Sequence, residues 1–174
     1  MTKRINIILF GIGNTGSALI NKVVKERKEL VLERKLDFRF PVITNSTVAF
    51  FEKEGANYSW EANFIQFAIP FKLEDVLYYL MENNVENIIA VDATASAALA
   101  AEYPDLVKSG FSIVTVNESL GYLPDNFEKG VQFLAESRGL DYRSVASDIK
   151  SKEAAADALF DAILDVAEKK SRAA

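Results

Sequence analysis

The chain has 174 residues, of which 49% are hydrophobic, 26% charged and 11% aromatic, fractions that suit one globular domain with a sizeable core. With 20 Lys and Arg against 25 Asp and Glu, the net charge is −5, which argues against a nucleic-acid footprint, since that needs clustered excess cations. Cysteine and histidine are both absent, which excludes disulfides, thiolate catalysis, Ser-His-Asp triads and Cys- or His-ligated metals.

The apolar run that follows Lys3 and Arg4 ends at Gly11. It is too short for a signal-peptide core or a spanning helix, so a cytoplasmic chain with no membrane partner is expected. The run itself, Ile5-Asn6-Ile7-Ile8-Leu9-Phe10, has the pattern of a strand buried on both faces. A helix is predicted over 14–28, with Ala18, Leu19, Val23 and Val24 as its apolar stripe. Residues 38–44 read as a second strand, in which Pro41 is anomalous because proline has no N–H for a central ladder. Residues 46–71 carry seven aromatic residues, Phe50, Phe51, Tyr58, Trp60, Phe64, Phe67 and Phe71. Such density suits an excursion that packs on the core; a wall of a ligand cleft or a partner surface is the alternative.

A helix with Val76, Leu77, Leu80 and Met81 on one face is predicted from about 70 to 84, then a strand over 88–91. Residues 97–109 read as a helix stopped by Gly110, 112–116 as a strand, 124–138 as a helix stopped by Gly139, and 140–146 as a fifth strand. The last helix, 151–172, sets Ala155, Leu159, Ala162, Ile163 and Val166 on one face and repeats acids at Glu153, Asp157, Asp161 and Asp165, which read as a solvated face. Strands alternating with helices predict an α/β chain: a doubly wound, mostly parallel sheet with helices on both faces.

Gly11-Ile12-Gly13-Asn14-Thr15-Gly16 matches G-x-G-x-x-G where the first strand passes into the first helix, the context in which that motif makes a Rossmann-like phosphate loop. Gly11 allows the tight turn, Gly13 leaves room for a diphosphate, and Gly16 lets helix and strand close up. The helix N-terminal amides then receive the phosphates. The acid that usually holds the NAD ribose at the end of the second strand is missing: Thr44-Asn45-Ser46-Thr47 stands there, with no arginine for the 2′-phosphate of NADP either. Asn45 and Ser46 suit both ribose forms, so the choice between NAD and NADP stays open.

In chain order, residues 9–19, Thr44-Asn45-Ser46, Val91-Asp92-Ala93-Thr94-Ala95-Ser96, Tyr103 and the run from Lys108 to Asn117 resemble the cofactor domain of homoserine dehydrogenase. The resemblance covers about 5–146. It implies a Rossmann-like dinucleotide-binding domain over 1–146, with 147–174 as a linker and a terminal helix that returns to pack on it. It also implies that Thr94, Ala95, Ser96 and Asn117 line the nicotinamide side of NAD or NADP; on the residues alone, Ser96 and Asn117 are a helix N-cap and a turn residue. Glu118 stands where the family has a lysine, a charge reversal beside the cofactor phosphates.

The stretch after residue 146 resembles the family with its substrate and dimerisation domain excised, so no catalytic residue is mapped. Binding of a dinucleotide without stand-alone catalysis is the reading this supports. The alternatives are an NAD(P)-dependent oxidoreductase acting on homoserine or aspartate semialdehyde in amino-acid biosynthesis with a separate substrate domain, and an interaction module that binds nothing. A homo-oligomer, a homodimer among the options, is expected as the assembly.

Overall fold

The computed structural model describes residues 1–145 and 151–173. The elements run β1 (Lys3–Phe10), α1 (Asn14–Arg34), β2 (Leu36–Thr44), β3 (Val48–Phe51), α2 (Trp60–Phe67), β4 (Ile69–Pro70), α3 (Leu73–Glu82) and β5 (Ile88–Asp92). They continue with α4 (Ala97–Ala101), α5 (Tyr103–Lys108), β6 (Ser112–Thr115), a 3-10 turn (Glu118–Tyr122), α6 (Phe127–Ser137), β7 (Tyr142–Ser144) and α7 (Lys152–Ala173). Residue 146 of the expected fifth strand and the expected linker 147–150 lie outside the described residues.

One seven-stranded sheet has the order β4-β3-β2-β1-β5-β6-β7. β1, β2, β5, β6 and β7 are parallel, and β3 and β4 extend the β2 edge as antiparallel additions. β1 shows why helices must cover both faces. Its Ile5, Ile7 and Leu9 enter the core shared with α1 and α7, while Ile8 and Phe10 enter the one shared with α3, α5 and α6. A strand that buries both parities has no side left for water.

Pro41 is tolerated inside β2 because the ladder is broken there. Asn6 pairs with Arg39 but Ile8 pairs with Val42, so β2 carries one extra residue. The bulge inverts the alternation: Leu36, Phe38 and Phe40 face the α1/α7 core, Val42 faces the other, and Ile43 returns to the first. The missing N–H therefore falls where pairing with β1 is already irregular, while the Pro41 carbonyl accepts from Glu52 N at 2.9 Å on the β3 side.

The aromatic stretch 46–71 forms β3, α2 and β4, elements that residue periodicity alone did not resolve. Phe50, Trp60 and Phe64 are buried, and the Trp60 indole donates to Asn21 Oδ1 at 2.9 Å, which pins α2 to α1. Tyr58, Ile65 and Phe67 stay exposed. The helix expected over 97–109 is two helices, because Pro104 in the first turn of α5 cannot continue the ladder of α4. The acids of α7, Glu153, Asp157, Asp161 and Asp165, are all exposed as expected, and two of them make surface ion pairs, Asp157 with Lys22 at 2.9 Å and Asp165 with Arg143 at 2.7 Å.

No helix among the described residues is long and apolar enough to cross a membrane.

Candidate functional site

The chain leaves β1 toward β2 on one side and returns to β5 on the other, so β1 is the point where strand order reverses. Loops at the carboxyl ends of such strands diverge and leave a crevice. The glycine loop, residues 11–16, occupies that position.

Each glycine in the loop answers a different steric demand. Gly11 has φ +98°, and a Cβ there would sit 2.7 Å from the Ala93 carbonyl oxygen of the strand β5 loop. A Cβ on Gly16 would overlap the Gly11 carbonyl oxygen. Gly13 is different: nothing lies within 4 Å of the Cβ it lacks, and its backbone is in the ordinary extended region. The fold needs no glycine at 13, whereas an approaching ligand would.

Gly13 is also the N-cap of α1, with no side-chain capping bond and no acid in the first turn. Ser17 N donates to Gly13 O at 2.9 Å, closing the first helical turn, and Ser17 Oγ bonds the Ile12 carbonyl rather than a helix amide. The amides that precede Ser17 thus present the positive end of the helix without an internal anion to meet it.

Next to this loop a cleft of about 540 Å³ opens over the ends of β1, β2 and β5. Its floor and walls are largely apolar, including Phe10, Phe71, Leu73 and Leu99, and its polar rim carries Asn45, Ser46, Thr94, Ser96, Glu74 and Glu102. Asn45 Oδ1 is committed to the turn that follows, accepting from Thr47 N at 2.9 Å and Val48 N at 2.8 Å. Among the described residues its Nδ2 has no protein acceptor, so it can donate into the cleft.

Asp92, at the end of β5, organises the opposite rim. Its Oδ1 accepts from Thr94 N at 2.9 Å and Thr94 Oγ1 at 2.6 Å; its Oδ2 accepts from the Tyr103 hydroxyl at 2.6 Å and Asn117 Nδ2 at 2.9 Å. Four donors on a carboxylate only 2% exposed compensate for its desolvation. Burial, with Asp92 next in importance, pushes the Tyr103 phenol well above its ordinary range. Among the described residues, every buried side-chain nitrogen and oxygen has a partner.

Of the residues singled out in the sequence, Asn45, Ser46, Thr94, Ala95 and Ser96 come together around the cleft. Ser96 Oγ accepts from Leu99 N at 3.1 Å and so caps α4. Asn117 is buried and its side chain is spent inside the protein: Nδ2 also reaches the Ser96 carbonyl at 2.9 Å, and Oδ1 accepts from Ser119 N at 2.9 Å and Ser119 Oγ at 2.6 Å. Ile12 packs against the α1/α7 core, Gly13 and Asn14 are exposed, and Thr15 is half-buried. Glu118 is exposed at the start of the 3-10 turn.

The cleft also takes in Phe71, from the aromatic stretch for which a cleft wall was the alternative reading, and Leu73, Glu74, Leu99 and Glu102, which the sequence did not single out. No spacing motif marks them. The signal of the last four is position: Leu73 and Glu74 open α3, and Leu99 and Glu102 lie within two turns of Ser96.

Comparisons with known proteins agree on one family. Residues 11–143 match the family model for the homoserine dehydrogenase NAD-binding domain. The chain is 26% identical over 131 residues to a bifunctional aspartokinase/homoserine dehydrogenase of Buchnera aphidicola, covering 75% of this chain and 16% of that protein. Over 138 residues it is 25% identical to bifunctional aspartokinase/homoserine dehydrogenase 2 of Escherichia coli, covering 79% and 17%. The chain therefore spans about a sixth of the length of these relatives. Among solved structures, homoserine dehydrogenase from Thermoplasma acidophilum superposes with a TM-score of 0.63 at 20% identity, covering 83% of this chain and 44% of that one. A hyperthermophilic archaeal homoserine dehydrogenase mutant in complex with NADPH gives 0.61 at 19%, covering 82% and 44%. At these identities the structures establish the Rossmann-like fold.

Proposed function

Because the chain belongs to the homoserine dehydrogenase NAD-binding domain family, we propose that it binds a nicotinamide dinucleotide. The diphosphate lies on the amides at the start of α1, and the adenosine half enters the cleft between Ser46 and Ser96. The observation that carries this reading is Gly13: glycine stands where the protein itself has open space, at an uncapped helix N-terminus. The apolar walls of the cleft suit a purine face, and the polar rim suits ribose hydroxyls.

Asn117 acts from beneath in this reading: anchored on Asp92, it holds the Ser96 carbonyl through Nδ2 and Ser119 of the 3-10 turn through Oδ1. Glu118 is the residue that opposes the phosphates. In this reading Thr94, Ala95 and Ser96, which the family resemblance implied on the nicotinamide side, border the adenosine half with the cleft they line, and no catalytic residue is assigned. The homoserine dehydrogenase activity named for the relatives is, in this reading, a task of a substrate platform beyond this domain.

The same reading sets the protein in cytoplasmic amino-acid biosynthesis as a homo-oligomer, in which exposed Tyr58, Ile65 and Phe67 are apolar surface for contact between copies. Light scattering reports the assembly. The binding test is a titration of NADH and NADPH, following nicotinamide fluorescence. Saturable enhancement that Gly13→Asp weakens is expected; no change in fluorescence or heat for either nucleotide would sink the proposal.

A further inference from the structure

We propose that the cleft selects an unphosphorylated adenosine ribose, so that NAD(H) binds in preference to NADP(H), and that Glu74 and Glu102 set this choice. The inference rests on the dinucleotide reading above and deepens it.

A Rossmann-like site chooses between the two cofactors by charge at the adenosine 2′ position. An acid at the end of the second strand accepts hydrogen bonds from the ribose hydroxyls and repels a phosphate, whereas an arginine there accepts the phosphate. Here the end of β2 offers only the neutral Asn45 and Ser46. The tertiary structure brings charge to the same cleft from two other elements. Glu74 comes from the first turn of α3 and Glu102 from the junction of α4 and α5, and both line the cleft together with Asn45 and Ser46.

No Lys or Arg lines it among the described residues. Lys72 lies between the lining residues Phe71 and Leu73 in sequence, yet it is not part of the wall. A 2′-phosphate, nearly doubly negative at neutral pH, would thus enter a cleft holding two carboxylates and no counter-cation. Phe10, Phe71 and Leu99 remove water from one side of the cleft, which strengthens repulsion relative to bulk solvent. A 2′-hydroxyl meets the opposite situation: it can donate to a carboxylate, and Asn45 Nδ2 can donate to it.

The selection is electrostatic, so it weakens with salt, because Glu74 is exposed and ions screen it. It also follows the adenosine half alone. Adenosine diphosphate ribose and its 2′-phosphorylated form must show the same preference as the intact cofactors.

The test measures dissociation constants of the full chain for NADH, NADPH and those two fragments at low and at high ionic strength. NADH is expected to bind at least about tenfold more tightly than NADPH at low salt, and the ratio should shrink as salt rises. The double variant Glu74→Gln with Glu102→Gln should lower the ratio by roughly threefold or more, mainly by tightening NADPH. Equal affinities, or tighter NADPH, would overturn the selection while leaving dinucleotide binding intact. A ratio unmoved by both salt and the double variant would overturn the assignment to these carboxylates. If neither nucleotide nor fragment binds, this inference falls together with the proposed function.

Discussion

Asn117 Nδ2 donates to Asp92 Oδ2 at 2.9 Å, joining the segment after β6 to the end of β5 inside the protein. The Tyr103 hydroxyl meets the same oxygen at 2.6 Å and Thr115 Oγ1 at 2.7 Å, so α5 and β6 share the knot. This arrangement places one carboxylate beneath the loop after β5 that lines the cleft, and its donors come from that loop, from α5 and from the segment after β6.

Removing one donor should therefore be felt as instability. Tyr103→Phe leaves the buried Asp92 carboxylate short of a charge-assisted hydrogen bond and is expected to cost about 1.5–3 kcal/mol. Urea unfolding measures it; a loss below roughly 0.5 kcal/mol would mean that water or a neighbour replaces the phenol.

The glycines of the loop should separate stability from binding. Gly16→Ala drives a Cβ into the Gly11 carbonyl and is expected to destabilise by about 3 kcal/mol or more. Gly13→Asp adds a Cβ with no protein atom within 4 Å and supplies a good N-cap, so stability should hold or rise by a few tenths of a kcal/mol. The same carboxylate repels a diphosphate and competes for the amides, so affinity for NADH should fall at least about tenfold. Thermal melts beside nucleotide titrations decide it, and Gly13→Asp binding like the wild type would refute the loop assignment.

Alkaline pH should unfold the protein for an identifiable reason. Burial, followed by Asp92, raises the Tyr103 phenol; burial, followed by the 2.6 Å bond to Glu128, raises that of Tyr142. A group bound to its proton more tightly in the folded state stabilises below its unfolded pKa, near 10 for tyrosine, and that contribution drains away above it. Stability should fall by up to about 2.7 kcal/mol per pH unit just above pH 10 if both phenols stay protonated until unfolding. The double variant Tyr103→Phe with Tyr142→Phe should flatten that slope; an unchanged slope would assign the loss to other groups.

The docking of α7 on α1 should depend on apolar burial more than on its ion pair. Lys22 pairs with Asp157 and lies 4.9 Å from the Phe160 ring centre, which itself packs edge-on to Phe38 at 6.1 Å. Asp157 is 60% exposed, so Asp157→Ala should cost under about 1 kcal/mol, while Phe160→Ala, which empties a buried site, should cost about 3–5 kcal/mol. Chemical denaturation of the two variants ranks the terms, and the reverse order would show that the ion pair dominates.

Short-range rules carried the reading of the chain a long way. The alternation of strand and helix, the glycine loop and the family resemblance all rest on patterns within a few residues, where sterics and burial periodicity act directly. The same rules stopped at Pro41, whose tolerance needs a bulge against β1, and at 46–71, where Phe50 and Trp60 pack on elements distant in sequence. They also overextended the helix over 97–109, where Pro104 begins a second helix.

Asn45 and Ser46 were legible as site candidates because they follow the end of the second strand, and Thr94, Ala95 and Ser96 through the family resemblance; an open parallel sheet gathers such strand ends at one edge. Glu74 and Glu102 were not, since nothing in a linear pattern tells that two acids 28 positions apart, one in α3 and one between α4 and α5, will line one cleft. The alternation of the parallel strands with their helices and the loop that bends on glycine were set locally, because neighbouring residues settle those choices. The charge surrounding the cleft was decided only by the tertiary fold, because electrostatic fields sum over side chains that chain distance keeps apart.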